Sequence, residues 1–139
     1  MTIENPDLLY PELSYEITGA IFVVWKNLGS GYKESVYQKA LEQELSNRGI
    51  QFSPQANIPI IYEGKRIGVY VPDFVIDGKI ILEIKHLPRI TFKEKKQIWH
   101  YLKGTDYKLL LLVNFGGSEV EIVRWVYDKA RNAKNANIR

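Results

Sequence analysis

Pro72-Asp73 and Glu83-Ile84-Lys85 sit on two apolar arms joined through Asp77-Gly78, so one hairpin carries two carboxylates and an amine. Alternation puts Phe74, Ile76, Ile80, Leu82 and Ile84 on one face and Asp73, Val75, Ile81, Glu83 and Lys85 on the other. Two carboxylates about 4 Å apart repel by about 4 kcal/mol at an effective dielectric near 20. Either Lys85 or a divalent cation must compensate, and hard oxygen donors of this kind suit Mg²⁺ or Mn²⁺. The competing reading is a solvated sheet face with a surface ion pair.

Parity constrains the turn. A two-residue loop at Asp77-Gly78 would pair odd positions with even ones and send Asp73 and Glu83 to opposite faces. Convergence of the two acids therefore predicts a three-residue turn, or a bulge with Gly78 left-handed, in place of the tight turn that Asp-Gly usually signals.

The elements that must position this hairpin follow from periodicity. Leu13, Ile17, Ile21, Val24 and Leu28 recur at helical spacing and stop at Gly29-Ser30-Gly31. A second helix is predicted from about Lys33 to Arg48, with Tyr37, Leu41 and Leu45 on its apolar stripe and Gly49 as C-cap. From Gln51 to Lys85 the pattern is β, with Ile58 to Tyr62, a turn at Glu63-Gly64-Lys65, Ile67 to Val71, and then the hairpin. A third helix is predicted from about Phe92 to Lys103, followed by an apolar run, Lys108 to Val113, that suits a strand covered on both sides. Val120 to Val126 reads as the last strand, with a short terminal helix from Tyr127. That order predicts an α/β fold with a mixed sheet between helices.

Further polar residues fall on inward-facing positions. Glu34 lies three residues before Tyr37 and shares its stripe; the alternative is a wet first-turn glutamate favoured by the helix dipole. Gln97 and Tyr101 are four apart and stack on one helix face, beside the apolar pair Ile98 and Leu102. His86 and His100 lack zinc-ligand spacing and are read as structural or surface residues.

At 139 residues with 45% hydrophobic content, the chain suits one domain over 1–139 with a real core and a frayed basic tail from about position 129, where Lys129, Arg131, Lys134 and Arg139 fall. Cysteine is absent, which excludes disulfides and thiolate metal sites and fits a reducing cytoplasm. No apolar run reaches membrane-spanning length and no signal-peptide pattern opens the chain, so a soluble protein without a membrane partner is expected. A net charge of +3 permits a polyanionic partner, and Lys93, Lys95, Lys96 and Lys103 cluster around the third helix. The small size leaves homodimerisation open.

Gly31-Tyr32-Lys33-Glu34-Ser35-Val36-Tyr37 resembles the signature of the small GxxExxY proteins, a RecB-like branch of the PD-(D/E)xK nuclease superfamily. The order of motifs is similar too: an acidic helix residue, Pro-Asp, Glu-x-Lys, then Gln97-Ile98-Trp99-His100-Tyr101 as Gln-x-x-x-Tyr, with Asn114-Phe115-Gly116 resembling the family's later segment. The resemblance runs from about Leu13 to Val126. It implies a restriction-endonuclease-like α/β/α sandwich around a mixed sheet, and Mg²⁺-dependent phosphodiester cleavage, most naturally of DNA.

On that resemblance Asp73, Glu83 and the Ile84 carbonyl would hold the metal, with Glu34 completing the site directly or through water. Lys85 would orient the attacking water or stabilise charge on the phosphate. Gln97 and Tyr101 would position Lys85, the nucleophile or the DNA backbone, and Lys93, Lys95 and Lys96 would contact phosphates. The rival expectation is a catalytically silent fold of this type that binds nucleic acid or a protein partner.

Overall fold

The computed structural model describes residues 9–128 of the chain. The basic stretch with Lys129, Arg131, Lys134 and Arg139, and the terminal helix expected there, lie outside those residues.

Two helices open the fold, α1 (Pro11–Leu28) and α2 (Glu34–Asn47). Seven strands and a third helix follow: β1 (Phe52–Pro54), β2 (Ile58–Tyr62), β3 (Lys65–Tyr70), β4 (Phe74–Ile76), β5 (Ile80–Lys85), α3 (Phe92–Lys103), β6 (Leu109–Asn114) and β7 (Glu121–Val126). Local chemistry sets the boundaries. At the end of α2, Gly49 takes φ +71° and Ile50 N–H donates back to Leu45 O at 3.0 Å, closing the helix as a left-handed glycine does. Thr91 and Glu94 form a capping box at the start of α3, and the Thr91 side chain holds the Glu94 carboxyl below its usual range. No helix among the described residues is long and apolar enough to cross a membrane.

The central sheet has the order β1-β4-β5-β6-β7. β5 and β6 run parallel through the α3 crossover, and the other neighbours are antiparallel, giving the expected mixed sheet. One face, with Phe74, Ile76, Ile80, Leu82, Leu109 and Leu111, packs against Ile17, Ile21, Leu41 and Leu45 of α1 and α2. The opposite face, with Val75, Ile81, Leu110 and Leu112, packs against Ile98 and Leu102 of α3. β6 is buried along its whole length, which explains its unbroken apolar run. The result is an α/β/α sandwich of restriction-endonuclease-like type.

β2 and β3 form a two-stranded ribbon of their own, and the central sheet passes from β1 to β4 without them. Only Tyr70 of β3 is buried, so the ribbon lacks the two-sided apolar cover that a central strand needs. It rests on the α3 side through Ile58 and Tyr70, with Ile60 partly buried beside them.

Register follows the parity rule. Phe74 pairs with Leu82, Val75 with Ile81 and Ile76 with Ile80, leaving a three-residue turn of Asp77, Gly78 and Lys79. Asp77 and Gly78 both have positive φ, 52° and 64°, and Lys79 N–H donates to Ile76 O at 3.0 Å. The Asp-Gly pair still makes a tight turn, and Lys79 is the extra residue that restores odd parity.

Beyond Lys85 the chain is clamped by the end of β6. Buried Asn114 accepts from Leu87 N–H at 2.8 Å and donates to Leu87 O at 2.9 Å and to Glu121 Oε1 at 3.0 Å. Ile90 N–H donates to the same Glu121 oxygen at 3.2 Å. Gly116 is what lets the two segments approach, since a Cβ there would fall within 3.0 Å of Leu87 N, Leu87 O and His86 C, all backbone atoms. Gly116→Ala is therefore expected to lower stability by about 3 kcal/mol in denaturant unfolding. Gly31→Ala, whose Cβ would meet nothing within 4 Å, should stay close to wild type. Equal stability of the two variants would show that the loop after Lys85 gives way freely.

Candidate active site

Asp73 and Glu83 face each other just beyond the paired residues of β4 and β5, and each carboxylate takes a backbone N–H from the other strand. Asp73 N–H donates to Glu83 Oε1 at 2.8 Å, and Ile84 N–H donates to Asp73 Oδ2 at 2.7 Å. These two bonds fix both acids without neutralising either. Burial, then the nearby Asp73 charge, raises the Glu83 carboxyl from its ordinary 4.5 to about 7. The backbone bond from Asp73, the Tyr70 hydroxyl and the Lys85 ammonium, two residues along β5, pull the other way and lose.

Gln38 and Gln55 hold Asp73 from the helix side. Gln38 Nε2 donates to Asp73 O at 3.1 Å, and Gln55 donates to the same carbonyl from its N–H at 3.1 Å and to Asp73 Oδ1 from Nε2 at 3.4 Å. Gln55 does so from a left-handed backbone, φ 54°. A cleft of about 470 Å³ opens here, its walls including Glu34, Gln38, Gln55, Asp73 and Ile84. Glu34 is thus exposed at the first turn of α2 and also faces the space beside Asp73. It does not join the two hairpin acids in a three-carboxylate cluster among the described residues.

Tyr37 explains how Glu34 is delivered. Its hydroxyl donates to Gly29 O and accepts from Tyr32 N–H, and its ring stacks on Phe115 at 4.4 Å, which pins the loop that launches α2. His86, directly after Lys85, donates from Nε2 to Ser30 O at 2.5 Å and stacks on the Tyr37 ring with centroids 6.0 Å apart, so it has a structural task.

On the opposite side, Tyr70 lies beside Glu83. Burial, with Glu83 and Asp73 adding to it, pushes the phenol far above its usual range. The Tyr70 hydroxyl nevertheless makes no hydrogen bond of ordinary geometry among the described residues. Tyr101 stacks on Tyr70 with centroids 4.3 Å apart, which brings α3 to the acid pair through a ring. Gln97, one turn earlier, is exposed and makes no hydrogen bond among the described residues. Lys93 and Lys96 are exposed and Lys95 half-buried, and none forms an ion pair among the described residues.

Gln38, Gln55 and Tyr70 were not singled out from sequence. Gln38 carried a signal, because it sits four residues after Glu34 on the same helical face. Tyr70 and Gln55 carried none, since their proximity to Asp73 depends on where the ribbon and β1 close.

Residues 11–125 match the family model described as the PD-(D/E)XK nuclease superfamily, and the chain belongs to that superfamily. Nucleases of this superfamily generally use divalent metal ions. Among solved structures, the chain is similar to one titled SSO0001, at 19% identity and a TM-score of 0.50, over 92% of this chain and 63% of that one. It is also similar to an alkaline exonuclease (LHK-Exo) from Laribacter hongkongensis, at 14% identity and a TM-score of 0.49, over 99% of this chain and 77% of that one. The chain thus spans under two thirds of the SSO0001 structure. No curated protein matches it.

The raised Glu83 carboxyl makes stability depend on pH. In metal-free buffer the folded state holds the Glu83 proton more tightly than the unfolded chain. Its stabilising contribution is therefore full below pH 4.5 and disappears as pH rises through about 7, a swing on the order of 3 kcal/mol. Chemical denaturation in EDTA should show wild type losing stability relative to Glu83→Gln across that window. Parallel pH profiles for the two proteins would mean that Glu83 ionises freely in the fold.

Proposed function

We propose that the protein is a divalent-metal-dependent nuclease that hydrolyses phosphodiester bonds in DNA, with Mg²⁺ as its metal and Mn²⁺ as a substitute. The motif order supports placing it in the GxxExxY, RecB-like branch, and the absence of cysteine supports a cytoplasmic setting. The observation that carries the reading is the reciprocally bonded Asp73–Glu83 pair with Lys85 two residues on.

The donors fit a hard cation. Two carboxylates are locked together in partial burial, and one of them resists ionisation because it is buried beside the other's charge. Asp73, Glu83 and the Ile84 carbonyl would hold the ion, and Glu34, outside a closed carboxylate cluster, would act through water. A bound divalent ion supplies Lewis-acid activation of the phosphate and of the attacking water.

The chain's own groups do the rest. Lys85 brings a cation to the same face as Glu83, where it orients the water or stabilises charge developing on the phosphate. Gln38 and Gln55 hold Asp73 at its backbone, so the acid keeps its aim while Glu34 faces the same cleft. Tyr101 acts on the site from α3, and Gln97 is free on the same helical face to meet substrate. Lys93, Lys95 and Lys96 offer unpaired cations for the phosphate backbone. A homodimer would extend the surface available to a duplex.

Incubation of labelled single-stranded, duplex and branched DNA with Mg²⁺, Mn²⁺ or EDTA tests this directly. Wild type should give products that EDTA abolishes, and Asp73→Ala, Glu83→Ala and Lys85→Ala should each lose about a thousandfold or more in rate while remaining folded. Asp73→Ala cutting at the wild-type rate would sink the assignment. A folded wild type with no product on any substrate would favour a binding module. Replacing Lys93, Lys95 and Lys96 together by Ala should flatten the dependence of log affinity on log salt by up to about 3 on duplex DNA. An unchanged slope would place the nucleic-acid groove elsewhere.

A further inference from the structure

Tyr70 ends β3, three residues before Asp73, and is only 5% exposed. Its ring lies nearly parallel to that of Tyr101, with planes 12° apart, and its buried hydroxyl lies within reach of the Glu83 carboxylate but makes no hydrogen bond of ordinary geometry among the described residues. Leaving a buried hydroxyl unpaired is unfavourable, and phenylalanine would keep the stack without that cost. Glu83 is the strongest charged neighbour of this hydroxyl, and its carboxylate takes a single backbone donor, Asp73 N–H. A carboxylate has lone pairs for more donors than that, and a neutral phenol is a donor.

We propose that Tyr70 is a positioning residue of the nuclease site: its hydroxyl donates to the Glu83 carboxylate in the metal-holding state, and Tyr101 contributes through its ring by fixing Tyr70. The inference rests on the metal-dependent nuclease reading above. Held by Asp73 N–H on one side and by Tyr70 on the other, the Glu83 carboxylate has one orientation available. The same arrangement gives α3 a route to the hairpin. The tyrosine of the Gln-x-x-x-Tyr motif reaches Glu83 by way of a stacked ring.

The test compares wild type with Tyr70→Phe and Tyr101→Ala. Three properties are measured: the melting temperature in EDTA, its rise on titration with Mg²⁺ alone, and kcat and KM on the DNA that wild type cleaves best. Tyr70→Phe should melt at or above wild type in EDTA and need about tenfold more Mg²⁺ for half of the metal-induced rise. It should also lose about tenfold in kcat with KM unchanged. Tyr101→Ala, which removes the stacked ring, should share the losses of Tyr70→Phe. Tyr70→Phe with wild-type Mg²⁺ dependence and kcat overturns the proposal, as does a Tyr70→Phe that melts well below wild type in EDTA. Tyr101→Ala with wild-type Mg²⁺ dependence and kcat overturns the ring's role. A wild type that neither cleaves nor gains stability from Mg²⁺ is a different result: it overturns the nuclease reading itself and the role of Tyr70 with it.

Discussion

Everything at this site depends on the register of one hairpin. With Asp77, Gly78 and Lys79 in the turn, Asp73 lies opposite Glu83, and each acid can take a backbone N–H from the facing strand. A slip of one residue would turn Asp73 toward the α1–α2 side and expose Phe74 and Ile76 to the wrong face. The apolar residues and the acids therefore enforce the same register. Burial of Phe74, Ile76, Ile80 and Leu82 under the first two helices supplies most of that preference, because each is fully buried. The charged pair is placed by hydrophobic packing it takes no part in.

A second layer of constraint links the three loops at this end of the sheet. Phe115 N–H continues the parallel ladder by donating to Lys85 O at 3.0 Å, and the Phe115 ring stacks on Tyr37. Tyr37 in turn holds the loop before Glu34, while Asn114 holds Leu87 from both its N–H and its carbonyl. The segments carrying Glu34, Lys85 and the start of α3 are thus tied to the end of β6. Few of these bonds are exposed, so the arrangement is set by packing before any ligand arrives.

Much of this was legible in sequence where the signal was local. Helix limits came from 3.6-residue periodicity and glycine stops, the buried β6 from its unbroken apolar run, and the turn length from parity between Asp73 and Glu83. What was not legible depends on closure between distant segments. The separation of the β2–β3 ribbon, the hold of Gln38 and Gln55 on Asp73, and the stack of Tyr70 on Tyr101 need partners far apart in the chain. Glu34 shows the limit of helical phase as a guide. It shares a stripe with Tyr37 and Leu41, yet at the first turn that stripe has already passed the edge of the core, and the side chain is exposed above a cleft.

Three departures from local rules meet at the acid pair, while the positive φ of Tyr10, Glu63 and Asp77 and the buried Trp125 indole N–H, unpartnered among the described residues, lie away from it. A sequence tuned for stability alone would have no reason to bury Glu83 beside Asp73, to hold Gln55 left-handed, or to leave the Tyr70 hydroxyl unpaired. Each is unfavourable, and all three gather around the Asp73–Glu83 pair. Other parts follow local rules: the α3 capping box, two apolar clusters on opposite sheet faces, and a polar clamp whose five side-chain bonds from Asn114 and Glu121 satisfy backbone groups or each other. Such a division is expected when a rigid scaffold holds a strained polar centre in readiness for a charge that the chain itself does not supply. Burial and the Asp73 charge together outweigh Lys85 at Glu83, and added positive charge beside the pair would favour its ionised form.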